Sequence, residues 1–330
     1  MIKTLISAAA LATFASSAFA TCSGPGAESL FTAEDLNSFA QESAASPYSQ
    51  GLYWKAEKGS DTVYVGGTLH IHDPRLFDTV ARFEDELAIA DILFLEVTPE
   101  GEAELQHAMM TDPNMVMLPN GQSMADVLAP ETWAELSRTL QQYGIGAADI
   151  ANLQPWLLSV SFILPPCAVQ SVQAGEPGLE ELIVDILPED TPIAALERWE
   201  DSMAFFHDVS FETQAQELLV HLASYAIMDP ITVATLDAYF DEDPQIMLPM
   251  MNALADNFEG EVKARYDAFM ARLEGELLED RNRDWIEEIY AAAEIHDDIF
   301  VAAGALHLGG ETGVLNLLAQ DGWHVSQMAD

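Results

Sequence analysis

Apolar and polar positions along this chain switch from strand period to helical period and back. Near the amino end two short runs read as strands, Leu52-Tyr53-Trp54-Lys55 and Thr62-Val63-Tyr64-Val65. Between them Lys58-Gly59-Ser60-Asp61 carries the turn chemistry of a hairpin. Leu76 to Ala90 then takes the helical period, with Phe77, Val80, Phe83 and Leu87 on one face. Ile92-Leu93-Phe94-Leu95 is a continuous apolar run, as expected of a parallel strand buried on both sides. From Gly101 to about Leu278 the pattern is helical and broken by prolines, and only Pro192 to Leu196 within it reads as a short strand. Arg281-Asn282-Arg283-Asp284-Trp285 opens or continues a helix running to about Ala293, which leads to a strand at Ile299 to Ala303. A helix over Gly313 to Leu318 and a last strand at Trp323-His324-Val325 follow. In the irregular arm before residue 50, Thr32 with Glu34 and Asp35 behind it starts a short helix. The strand–helix–strand units thus sit at the two ends of the chain. The expected fold is α/β, a central sheet covered by a large helical insertion over about residues 101–278.

Two strand exits carry the same short phrase, Gly67-Thr68-Leu69-His70 and Gly304-Ala305-Leu306-His307. Glycine at a strand end lets the backbone turn without a Cβ clash. The histidine three residues on then projects at the carboxyl end of the strand, the edge where α/β folds collect ligands. Glu96 directly follows the Ile92–Leu95 run, and Glu197 follows the short strand ending at Leu196. Two imidazoles and a carboxylate leave coordination positions open on a divalent ion, as hydrolytic metals require. His72, two residues past His70, reads as a turn residue. Met247, Met250 and Met251 read as helix packing.

Composition narrows the context. The chain has 12 Lys plus Arg against 55 Asp plus Glu. Such a field repels phosphate backbones and anionic lipid surfaces, so nucleic acid is excluded as a partner. Lys3, the apolar stretch from Thr4 to Phe14 and Ala18-Phe19-Ala20 read as a secretory signal peptide over residues 1–20, with residues 21–330 as the mature chain. Thr21 in front of Cys22 argues against a lipoprotein, and no further stretch is expected to span a membrane. Export and the even count predict one structural disulfide, between Cys22 and Cys167. The expected location is periplasmic or secreted.

Taken in order, these motifs resemble the TraB/GumN group, which is related to the Tiki proteins. The resemblance rests on Leu52–Lys55, Val65-Gly66-Gly67-Thr68-Leu69-His70, Phe94-Leu95-Glu96-Val97, Leu196-Glu197, Arg281-Asn282-Arg283-Asp284-Trp285 and Gly304-Ala305-Leu306-His307-Leu308. It covers almost all of the mature chain and implies a fold of the erythromycin-esterase and ChaN-like type. Tiki members are metal-dependent proteases that use the two GxxH histidines and a glutamate. His70, His307 and Glu96 match those metal and catalytic positions. Arg281 and Asn282 match the polar pair near that site, with catalytic roles expected for both, Arg281 stabilising an oxyanion and Asn282 orienting a ligand, and Glu197 matches a further acidic position. Arg198 stands where members often carry threonine. The resemblance implies manganese or cobalt, whereas the affinity order of the donors favours zinc. The implied function is an exported, peptidase-like hydrolase acting on a peptide or envelope-derived substrate. The alternative is a non-catalytic envelope protein that binds metal, haem or glycan and supports exopolysaccharide or signalling pathways.

Overall fold

In the computed structural model, which describes residues 22–328, six strands form one sheet. They are β1 (Tyr53–Lys58), β2 (Asp61–Thr68), β3 (Ile92–Leu95), β4 (Ile193–Ala195), β5 (Asp298–Gly304) and β6 (His324–Gln327). Their order across the sheet is β4-β3-β5-β2-β1-β6. The first four in that order are mutually parallel; β1 runs antiparallel to both β2 and β6. The carboxyl ends of β2, β3, β4 and β5 therefore open on one edge.

Alternation along each strand builds a core on both faces. On one face Val63, Val65, Phe94, Ile299 and Val301 pack against Trp285, Ile286 and Ile289 of the helix Arg281–Ala293, with Val314, Leu315 and Leu318 beside them. On the other, Tyr53, Leu93, Leu95 and Phe300 pack against Leu76, Val80 and Phe83 and against Leu179, Leu182 and Ile183 of the helix Leu179–Ile186. Helices between β3 and β4 and between β4 and β5 supply the rest. A separate helical core joins Leu136, Leu140 and Phe162 to Leu218, Leu219 and Leu222. The amino-terminal arm is tied to this part: Cys22 and Cys167 form the expected disulfide, with Cα atoms 5.0 Å apart.

Several local expectations change. The helix foreseen over Leu76 to Ala90 is two short ones, Leu76–Ala81 and Glu84–Leu87. Glu84, Asp85 and Glu86 open the second, where negative charge favours a helix start over a helix interior. The helix after Thr32 is not short; it runs Ala33–Ala45 under a full capping box. Among the described residues one helical stretch, Phe211–Phe240, is long and apolar enough to cross a membrane, against the expectation of none. Half of its most apolar window is buried inside the protein, and Ala215, Leu218 and Leu222 lie in the helical core. The leader expected over residues 1–20 lies outside the described residues.

The two motif glycines serve a different purpose from the one foreseen. Gly67 lies inside β2, and Gly304 ends β5 with ordinary φ −50° and ψ 134°. Neither needs a left-handed turn; both need a close neighbour. A Cβ on Gly67 would lie 3.2 Å from Leu308 and 3.3 Å from Ala305. One on Gly304 would lie 3.1 Å from Glu96 Oε1 and 3.5 Å from His307 Cδ2.

Candidate functional site

Because β3 and β4 are parallel neighbours, the residues following them emerge side by side, and Glu197 N–H donates to the Glu96 carbonyl at 3.2 Å. Both carboxylates meet Arg281. Its Nη2 donates to Glu96 Oε2 at 2.8 Å and to Glu197 Oε1 at 2.5 Å, and its Nε donates to Glu197 Oε2 at 2.9 Å. Glu197 is thus a buried partner of Arg281, and Arg281 does not pair with its helical neighbour Glu279. The guanidinium also lies over the Trp285 ring, 4.8 Å from its centre. Arg281 begins the helix Arg281–Ala293 where a π-helical stretch, Leu273–Asp280, ends. Such widened turns recur at functional sites.

Glu96 joins three strands. Its Oε1 accepts the Gly304 N–H at 2.7 Å while Oε2 holds Arg281. Burial opposes its charge, but His307, Arg281, His70 and the Gly304 N–H more than compensate and hold its pKa at about 2. Burial pushes His307 down to about 4 against the pull of Glu96. The ring is therefore neutral at pH 7, and Arg281 is the standing counter-charge of Glu96.

The two motif histidines end in unlike places. His307 is 5% exposed, its ring packs on Trp285 with centres 4.3 Å apart, and its Nδ1 lies 2.7 Å from Asn282 Oδ1. His70 has a side chain 70% exposed, with Nδ1 3.9 Å from Glu180 Oε1. One ligand atom each of His70, Glu96 and Glu180 lies within 4.8 Å of the other two. That set contains Glu180 and does not contain His307, unlike the ligand set expected from the motifs. His307 packs instead on Trp285. His72 stays outside, with Nδ1 2.9 Å from the Pro177 carbonyl, as a turn residue would.

Glu180 enters from the helical part of the chain. The segment Pro177-Gly178-Leu179 docks on the first motif: Leu179 N–H donates to the Leu69 carbonyl at 3.0 Å, and a Cβ on Gly178 would lie 2.8 Å from the His70 carbonyl oxygen. The Thr68 hydroxyl, from within the motif, donates to Glu180 Oε1 at 2.9 Å. Burial pushes the Glu180 carboxyl up to about 7; the Glu96 charge adds to the rise, while His70 and Thr68 oppose it. One residue here, Glu180, escapes the sequence reading. Glu180 and Glu181 look like ordinary acids of a helix's first turn. Trp285, four residues after Arg281, was legible as a residue on the same helix face.

The donor set is one imidazole and two carboxylates, the mixture that suits a divalent ion between hard and borderline. Two buried carboxylates this close favour a cation or a shared proton between them. Neither the curated proteins nor the solved structures contain a match to this chain. The sequence profile of the TraB/PrgY/gumN family matches residues 52–327, from β1 to the last strand, and the chain belongs to that family.

Proposed function

We propose that the chain is an exported, metal-dependent hydrolase of the peptidase kind, with the cation held by His70, Glu96 and Glu180. The supporting observation is that ligand atoms of these three residues lie within 4.8 Å of one another at the carboxyl edge of the parallel strands. The reading includes a leader over residues 1–20, a mature unit over 21–330 with its helical insertion, and an erythromycin-esterase or ChaN-like sheet. The Cys22–Cys167 bridge fits a periplasmic or secreted location. Manganese, cobalt and zinc are the candidate ions, and such an ion supplies Lewis acidity toward a substrate carbonyl.

The protein groups divide the remaining work. Glu96, held at about 2, stays a carboxylate and is too weak a base for proton transfer at neutral pH. Glu180, held at about 7 in the metal-free chain with Thr68 on its Oε1, would give up its proton on taking the cation. One observation favours the non-catalytic alternative, an envelope protein that binds metal, haem or glycan: Arg281 spends Nε and Nη2 on two glutamates, so those donors do not face a developing oxyanion.

Metal analysis of the purified protein, followed by a peptide-library assay with added manganese, cobalt or zinc, separates the two. Stoichiometric metal with cleavage lost in His70→Ala and Glu180→Gln supports the hydrolase. Metal uptake without turnover leaves the binding protein, and no uptake at millimolar ion removes both metal readings.

A further inference from the structure

We infer that Asn282 is a positioning residue: it fixes the buried His307 ring as the Nδ1–H tautomer and leaves Nε2 as the one ring nitrogen with a free lone pair. The argument is a chain of donors and acceptors. Asn282 is 2% exposed, so water does not complete its bonds. Its Nδ2 donates to the Thr312 carbonyl at 3.0 Å. A carbonyl only accepts, so flipping the amide would set oxygen against oxygen there. The amide orientation is thereby determined, and Oδ1 faces the ring. Oδ1 also only accepts, and His307 Nδ1 lies 2.7 Å from it. Nδ1 must carry the proton, and a neutral ring then has none on Nε2.

The surroundings hold the arrangement. Trp285 lies against one ring face, with planes inclined by 38°, and the Cβ-free Gly304 lets Cδ2 approach. The Thr312 carbonyl is presented by the loop Gly309-Gly310-Glu311-Thr312-Gly313, where Gly313 N–H donates to the Gly310 carbonyl at 3.1 Å. A Cβ on Gly309 would lie 2.5 Å from the Tyr48 carbonyl oxygen, so the loop is seated tightly. Arg281 and Asn282, adjacent at the start of one helix, therefore divide the edge. The first orients Glu96 and the second orients His307. The tautomer requires no metal; only its use, an imidazole that accepts a proton or a ligand at Nε2, rests on the proposed hydrolase.

The test is long-range ¹H–¹⁵N correlation on uniformly ¹⁵N-labelled, metal-free protein at pH 7.5, with the His307 signals assigned by their loss in His307→Gln. The expected spectrum shows a protonated Nδ1 and a bare Nε2, with the minor tautomer disfavoured by at least about tenfold, as one buried hydrogen bond provides. In Asn282→Ala that preference collapses. In Asn282→Asp, which keeps an acceptor facing Nδ1 but puts an oxygen in place of the donor to Thr312, Nδ1 stays protonated and the new carboxylate favours a second proton on Nε2. A wild-type ring protonated on Nε2 overturns the inference, and so does an unchanged tautomer in Asn282→Ala. If Asn282→Ala does not fold, the wild-type spectrum still decides, because a ring protonated on Nε2 overturns the inference by itself. A protein that takes up no metal but shows the Nδ1–H ring would refute the hydrolase and leave this inference standing.

Discussion

His70 and His307 close the same four-residue phrase on neighbouring parallel strands, yet one ring stands in solvent and the other is sealed in the core. The difference arises after the glycine. Beyond Gly304 the chain tightens into the 3-10 turn Ala305–His307, which swings the imidazole back under the sheet edge onto Trp285. Beyond Gly67 the strand continues through Thr68, and His70 leaves on a loop held by Pro177-Gly178-Leu179. A motif thus delivers a histidine to an edge, and the chain that follows decides whether it supports the site or meets the ligand. His307 is the supported, shape-fixed member; His70 is the accessible one.

The strongest way to break this contrast is to remove what seals His307. Trp285→Ala takes away a fully buried indole that carries both His307 and Arg281. It should cost about 3–5 kcal/mol in denaturant unfolding, as large-to-small core changes do. A loss under about 1 kcal/mol would mean that the ring is not packed as described. His307→Ala follows, at about 2–4 kcal/mol, because it opens a space and strands the buried Asn282 oxygen.

Acid should act on the sealed histidine next. His307 has its pKa lowered from 6.5 to about 4, so the unfolded chain binds the extra proton first. Its contribution to stability is present above pH 6.5 and is lost as pH falls through about 4. The expected loss over that window is on the order of 3 kcal/mol. Comparing stability–pH curves of the wild type and His307→Gln checks the sign: the variant's curve should be flatter there, and a steeper one refutes the assignment.

The smallest effect belongs to the exposed partner. His70→Ala should change metal-free stability by less than about 0.5 kcal/mol, as surface changes do. Yet it should erase the stabilisation by a divalent ion, which for a site filled at a hundred times its Kd is about 2.7 kcal/mol. Thermal melts with and without manganese, cobalt or zinc read both quantities. A large metal-free loss, or an ion response that survives the substitution, would make the two histidines more alike than the structure has them.

Much of this was legible in the sequence. The runs around Val63, Leu93 and Ile299 are apolar on both faces because parallel strands are covered on both sides, and that pattern needs no partner to be read. The placement of Glu96, Glu197 and the histidines at one edge followed from it. The partners did not. Thr68 finds Glu180 across 112 residues and Arg281 finds Glu197 across 84, and nothing local marks either pairing. The role of the glycines was misread for a related reason: close approach is a property of the neighbour, not of the residue's own φ and ψ.

β5 has a consequence in time. It lies between β2 and β3 but is made of residues Asp298–Gly304, far later in the chain than either neighbour. At ordinary elongation speed a ribosome spends on the order of 10–40 s between the end of β3 and the start of β5. During that interval the sheet pairings open to a nascent chain are the β1–β2 hairpin and, later, the short β3–β4 pair, each with an apolar edge awaiting the same missing strand. Such edges are templates for wrong pairing. For this chain, then, survival until β5 emerges is as much a condition of the native state as any contact within it.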